Sequence, residues 1–264
     1  MHAARAAVGA WRIAGAIFHV LRGALICAVV FPFIDAPRRR GHVGRWSAAM
    51  LRTLGIALRT HGTPRPGATL VVSNHVSWLD ILAIDAVHPV RFVSKADVRH
   101  WPLLGWLVAC GGTLFIERER KRDALRVVHQ VAQALEQGDA VGVFPEGTTT
   151  EGDVVLPFHA NLLQAAIATG TPVQPVALRF SDAARDPTPA AAYVGATSLV
   201  ESLWAVATAQ RLQARVVWLA PQAAAHADRR ALAALLRERI AEELGVTESR
   251  FAAQASAGSE TASL

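Results

Sequence analysis

Five short apolar runs, at 69–72, 90–94, 112–116, 140–144 and 172–178, alternate with helix-like stretches at 78–87, 121–137 and 159–169. Runs with no polar alternation suit strands buried on both faces, and parallel neighbours require helical crossovers between them. The alternation therefore predicts an α/β fold, with a mostly parallel central sheet flanked by helices. Within 121–137, Leu125, Val128, Val131, Ala132 and Leu135 share one side, and Gly138 is placed to end the helix. A further surface helix is predicted from Asp228 to Leu244, with Leu232, Leu235, Leu236 and Ile240 inward. The segment Trp101–Ile116 is apolar but too short to span a bilayer and is broken by Pro102, Gly105, Gly111 and Gly112. It reads as buried core or as the wall of an apolar pocket.

The chain upstream of the first run is different in kind. Residues 1–66 hold ten arginines against Asp35 alone, a formal +9, so the rest of a chain with net charge +6 is acidic at −3. Arg5, Arg12 and His19 recur every seven residues, as do Arg38, Arg45, Arg52 and Arg59, which puts each set on one helical face. Phe31-Pro32-Phe33-Ile34-Asp35-Ala36-Pro37 should break the helix between them. Two basic-striped helices forming a monotopic anchor are predicted, resting on an anionic membrane surface; a single span over 13–34 is the alternative. No nucleic-acid recognition motif accompanies the basicity, so nucleic acid is not expected as a partner. The expected organisation is an anchor at 1–62, an α/β domain at 63–252 and a disordered tail at 253–264. Cys27 and Cys110 lie in separate apolar stretches, which argues against a disulfide framework and fits a reducing compartment.

Chemistry enters at the strand ends. After the run 69–72 come Asn74, His75 and, five residues beyond the histidine, Asp80. A carboxylate at that spacing can hold the imidazole Nδ1 proton across the first turn of a helix, leaving Nε2 to take a proton from a substrate hydroxyl. Ser77-Trp78-Leu79-Asp80 also fits a capping box, and a cap would fix where the carboxylate points. Phe115-Ile116-Glu117-Arg118, Phe144-Pro145-Glu146-Gly147-Thr148 and Val173-Gln174-Pro175-Val176 close three later runs. Polar groups at several strand ends predict one site at the C-terminal edge of the sheet.

These four blocks, in this order over roughly residues 65–180, make the chain resemble the glycerolipid acyltransferases of the 1-acylglycerol-3-phosphate acyltransferase type. The resemblance implies transfer of a fatty acyl group from acyl-CoA or acyl carrier protein to the free sn-2 hydroxyl of lysophosphatidic acid. His75 and Asp80 would be catalytic. Lys95, Arg118 and the Glu146-Gly147-Thr148 turn would hold the head group, with Glu146 bonding a glycerol hydroxyl or Arg118. The third block commonly continues into an arginine that helps hold the phosphate; here the position is Thr149. That keeps lyso-ornithine lipid, or another lysophospholipid, open as the acceptor. A membrane lipid-binding module without catalysis is the reading from another class. No cofactor or metal is expected, since His75, Asp80 and Glu146 do not share a metal-ligand spacing. A bilayer acceptor and a cytosolic donor place the enzyme on the cytoplasmic face of the inner membrane.

Overall fold

The computed structural model describes residues 2–116 and 121–246. A long helix, α1 (His2–Val29), ends in a 3-10 turn at Phe31–Phe33. The second helix, α2 (Ala36–Thr53), starts at Asp35, whose carboxylate accepts the Arg38 amide. The proline-rich break is thus where the sequence puts it.

The α/β body follows as β1 (Ala57–His61), β2 (Thr69–Ser73), α3 (Leu79–Val87), β3 (Arg91–Lys95), α4 (Leu104–Cys110) and β4 (Leu114–Ile116). It continues through α5 (Lys121–Glu136), β5 (Ala140–Val143), α6 (Leu163–Thr169), β6 (Val173–Ser181), α7 (Leu199–Thr208), β7 (Gln213–Trp218) and α8 (Arg229–Leu244). The seven-stranded sheet runs β1-β7-β6-β2-β5-β3-β4. Every neighbouring pair is parallel except β6 and β7. Each of the five apolar runs holds a strand; β1 and β7 were not anticipated. β1 is an edge strand, half-buried at Leu58 and exposed elsewhere, which obscures its pattern; β7 lies between β1 and β6 and is mostly buried, but Gln213 and Arg215 interrupt its apolar run. Residues 57–61, assigned from sequence to the N-terminal segment, pair with β7 in the sheet.

Strand β2 is central and buried along its whole length. On one face, Leu51 of α2, Leu79 and Ile84 of α3 and Val206 of α7 pack on Val71, Val176 and Leu178. On the other, Val131 and Leu135 of α5, Leu163 of α6 and Leu236 of α8 cover Leu70, Val72, Val141 and Val143. Gly142 makes one close approach possible: a Cβ there would lie 2.7 Å from the Phe92 ring, so the glycine gives that ring its place beside β5.

Helix α1 lies outside these layers, and two members of its basic stripe, Arg12 and His19, turn inward while Arg5 and Arg22 stay exposed. Arg12 donates to the Ala207 and Ala209 carbonyls at the end of α7, at 2.9 and 3.0 Å. His19 is buried, stacks on Trp46 and donates from Nε2 to its carbonyl, while Trp46 Nε1 donates back to the His19 carbonyl. Gly9 and Gly23 on the same stripe meet Thr208 and Trp46. The face left exposed is apolar: Trp11, Ile17, Phe18, Leu21, Leu25 and Val29. The expectation that the α1 stripe faces anionic lipid is corrected for Arg12 and His19. A guanidinium donor is more valuable against the unpaired carbonyls at the end of α7 than in water, and His19 is held instead by its ring stack and reciprocal hydrogen bonds with Trp46.

Trp101, Leu103 and Trp106 are also exposed. The buried-core reading of 101–116 is corrected at these three positions, two in the turn before the short helix α4 and one, Trp106, on it. Cys27 and Cys110, remote in sequence, are neighbours between α1 and α4.

Candidate active site

His75 leaves the C-terminal end of β2 and Glu146 leaves that of β5, the adjacent strand. From β2 the chain enters α3 on one face of the sheet; from β5 it passes to α6 on the other. Such a divergence opens a crevice at the strand ends.

Asp80, fully buried in the first turn of α3, fixes the histidine. Its Oδ2 lies 2.7 Å from His75 Nδ1 and accepts the Val76 and Ser77 amides at 2.7 and 2.9 Å. An acceptor on that side assigns the proton to Nδ1 and leaves Nε2 as the basic nitrogen. The capping box expected with Ser77 as N-cap is corrected: the N-cap is Trp78 and bears no side-chain cap bond, although Asp80 takes backbone donors ahead of the helix and Ser77 Oγ accepts the Leu79 amide at 3.4 Å. The His75 ring stacks on Phe144 with centroids 4.0 Å apart, and Phe144 stacks on Phe92. The imidazole side chain remains 22% exposed while Asp80 is sealed. One edge of a rigid ring is thus open to a substrate.

Glu146 is a clamp between loops. Its Oε1 accepts the His75 amide at 2.7 Å and its Oε2 the Leu156 amide at 2.9 Å. Burial pushes its carboxyl up to about 7, partly offset by those two amides. The His75 carbonyl in turn accepts the Thr150 amide at 2.9 Å, so the two loops hold each other in both directions. Gly147 sits at φ +72°, a conformation glycine adopts freely, and a Cβ there would come within 3.3 Å of the His159 ring. Thr148 is exposed, and Thr149 Oγ1 donates to the Tyr193 carbonyl.

The structure thus brings His75, Asp80 and Glu146 together, with Gly147 and Thr148 in the adjoining turn. Lys95 stands exposed at the C-terminal end of β3, on the same edge of the sheet. Arg118 lies outside the described residues. Sequence reasoning missed Asn74 and Phe144 as individual contributors. Asn74 is buried, donates to the Leu178 carbonyl and accepts its amide, at 2.9 and 2.8 Å, tying the end of β2 to β6. The only signal for either was its position beside a named site residue. Among the described residues no three His, Cys, Asp or Glu side chains converge as metal ligands.

Comparison with known proteins accords with this geometry. The family model described as Acyltransferase matches residues 57–179, from β1 into β6. A protein named 1-acyl-sn-glycerol-3-phosphate acyltransferase from Neisseria meningitidis is 38% identical over 201 residues, covering 75% of this chain and 77% of that one. A Pseudomonas aeruginosa protein named lyso-ornithine lipid O-acyltransferase is 37% identical over 205 residues, covering 76% and 78%. The crystal structure of the 1-acyl-sn-glycerophosphate (LPA) acyltransferase PlsC from Thermotoga maritima superimposes with a TM-score of 0.60 at 20% identity. It covers 89% of this chain and 98% of that chain, and shares the fold.

Proposed function

This chain belongs to the glycerolipid acyltransferase family and is an acyltransferase, and from that premise we propose direct acyl transfer to the sn-2 hydroxyl of lysophosphatidic acid. His75 Nε2 takes the hydroxyl proton. The freed oxygen attacks the carbonyl of an acyl thioester of coenzyme A or acyl carrier protein, the C–S bond breaks, and the imidazolium returns its proton to the departing thiolate. The products are phosphatidic acid and a free thiol. Asp80 holds the Nδ1–H tautomer and stabilises the imidazolium. The observation that carries this reading is the 2.7 Å contact between a sealed carboxylate and a partly open imidazole.

Lys95, Thr148 and Arg118 supply the head-group side of the site. Glu146 and Gly147 support it from behind, because both carboxylate oxygens of Glu146 already accept backbone amides. No cofactor takes part. The exposed apolar face of α1 supports a membrane-bound enzyme that draws its acceptor from the bilayer, and a cytosolic thioester donor puts the site on the cytoplasmic side.

A second acceptor reading rests on Thr149. Its hydroxyl serves the Tyr193 carbonyl instead of facing a phosphate, and relatives acting on lyso-ornithine lipid by name are as similar as those named for lysophosphatidic acid. The test is thiol release from an acyl thioester with lysophosphatidic acid and with lyso-ornithine lipid, using wild type and His75→Ala. Turnover of lysophosphatidic acid that vanishes in His75→Ala supports the first reading. Turnover of lyso-ornithine lipid alone moves the acceptor and keeps the chemistry. Histidine-independent release with both acceptors overturns the mechanism.

A further inference from the structure

A groove of about 540 Å³ opens far from His75, within the size range of small-molecule sites, roughly 300–1,000 Å³. Arg91 begins β3 and Asp139 precedes β5, so the groove lies at the N-terminal ends of β3 and β5, opposite the sheet edge where Lys95 and Glu146 stand and where parallel β2 delivers His75. Its walls are apolar: Ala28 and Phe31 from the end of α1 and the following turn, Val43 from α2, Trp106 and Ala109 from α4.

Its polar side is cationic. Asp139 bridges two arginines, taking Arg40 on Oδ1 and Arg91 on Oδ2, each at 2.9 Å. Arg39 extends over the Phe31 ring and donates from Nε to the Ile34 carbonyl. Three guanidinium groups therefore line a groove with one carboxylate, and that carboxylate is shared by two of them. The exposed apolar face of α1 includes Leu25 and Val29, which flank the groove-lining Cys27 and Ala28 in sequence, and Trp106 of α4 lines the groove while remaining exposed.

We propose that this groove binds an anionic glycerophospholipid of the bilayer, distinct from the acyl acceptor, with its phosphodiester on the Arg39 side and its chains along the apolar walls. The occupant follows from the two chemistries side by side. An uncompensated guanidinium recognises a phosphate diester, and only an amphiphile covers the adjoining apolar wall. A soluble phosphate would leave that wall bare. Bound there, the lipid bridges α1, α2 and α4 and holds the sheet at a fixed tilt to the membrane. The inference rests on the membrane reading above, and its test separates the two.

Native mass spectrometry of the full chain in detergent is the measurement, with phosphatidylglycerol and phosphatidylcholine of matched chains. Arg39→Gln removes the free charge, and Ala28→Trp plugs the groove from an exposed position. Wild type should retain one phosphatidylglycerol with about tenfold preference, and both variants should lose that preference. Thiol release and flotation on vesicles should stay unchanged in both. Equal retention of the two lipids, selectivity surviving in both variants, or displacement of the lipid by inorganic phosphate at equal concentration would overturn the proposal. Failure of wild type to float on any vesicle would instead overturn the membrane reading, while retention in detergent still judges the groove.

Discussion

Asp80 Oδ2 lies 2.7 Å from His75 Nδ1 and at the same time accepts the amides of Val76 and Ser77. One oxygen therefore sets the tautomer of the imidazole and the path of the loop that carries it. Replacing Asp80 with Asn keeps the volume and offers a weaker, ambiguous partner. We expect Asp80→Asn to lower kcat by about 100-fold or more while the near-UV circular dichroism stays native. A variant with full activity would show that the imidazole needs no orienting carboxylate.

Glu146 receives one amide on each oxygen, and neither is spare. Glu146→Gln turns an NH2 toward one of those donors and leaves it unpaired. The expected cost is about 1–3 kcal/mol of stability, together with a fall in kcat larger than any rise in KM, because the His75 loop shifts. A rise in KM alone would return Glu146 to direct contact with the acceptor.

Asn74 satisfies the amide and carbonyl of Leu178 in the buried centre of the sheet. Asn74→Ala strands both groups. A loss of about 3 kcal/mol is expected, visible as a Tm lower by roughly 10 °C in a scan with reversible unfolding. The conservative change to Asp keeps the acceptor and cannot donate to the carbonyl, so it should not restore the wild-type Tm.

Burial pushes the Asp85 carboxyl up to about 8, against a single stabilising bond from the Val90 amide, and pushes Glu146 up to about 7. Both raised carboxyls hold their protons in the native state at pH values where the unfolded chain has released them. Stability from this source is full below the unfolded values of 3.8 and 4.5 and is lost as pH rises through about 7 and 8. Each group contributes a slope of at most about 1.4 kcal/mol per pH unit. Asp85→Asn keeps an acceptor for Val90 and should flatten the decline in urea-unfolding free energy between pH 5 and 8, roughly the window its carboxyl spans. An unchanged slope would mean that Asp85 is ionised in the fold.

Arg12 closes the last turn of α7 with two bonds to its carbonyls. Arg12→Ala should free the first half of α1 without touching the sheet. Amide exchange over residues 3–20 should quicken by at least about tenfold while β2 and β5 stay protected. No change in α1 exchange would mean that its glycine and histidine contacts suffice to seat it.

β2, β5 and β6 were legible because a strand buried on both faces is apolar nearly throughout, β3 and β4 through shorter apolar runs, and the crossovers between them carry helical periodicity. β1 and β7 were not: Ala57–His61 is mostly exposed, and it is a strand only because Gln213–Trp218 offers it a ladder. His75 and Asp80 could be paired from their spacing alone. Glu146 joins them across a separation of 71 residues, through a backbone amide that no sequence pattern marks.

By itself the sequence determined what local periodicity and local reach decide: that five apolar runs are strands, where proline breaks the N-terminal helices, and that Asp80 lies within reach of His75 across the start of α3. Tertiary structure decided which way each face turned. The seven-residue recurrence of Arg5, Arg12 and His19 defines a stripe, and the same stripe could meet lipid or protein. The outcome for Arg12 and His19 was set by where their partners stood: the carbonyls that end α7 for Arg12, and the ring and carbonyl of Trp46 in α2 for His19. Those carbonyls belong to segments distant in sequence, and only the packed chain brings them within hydrogen-bond range.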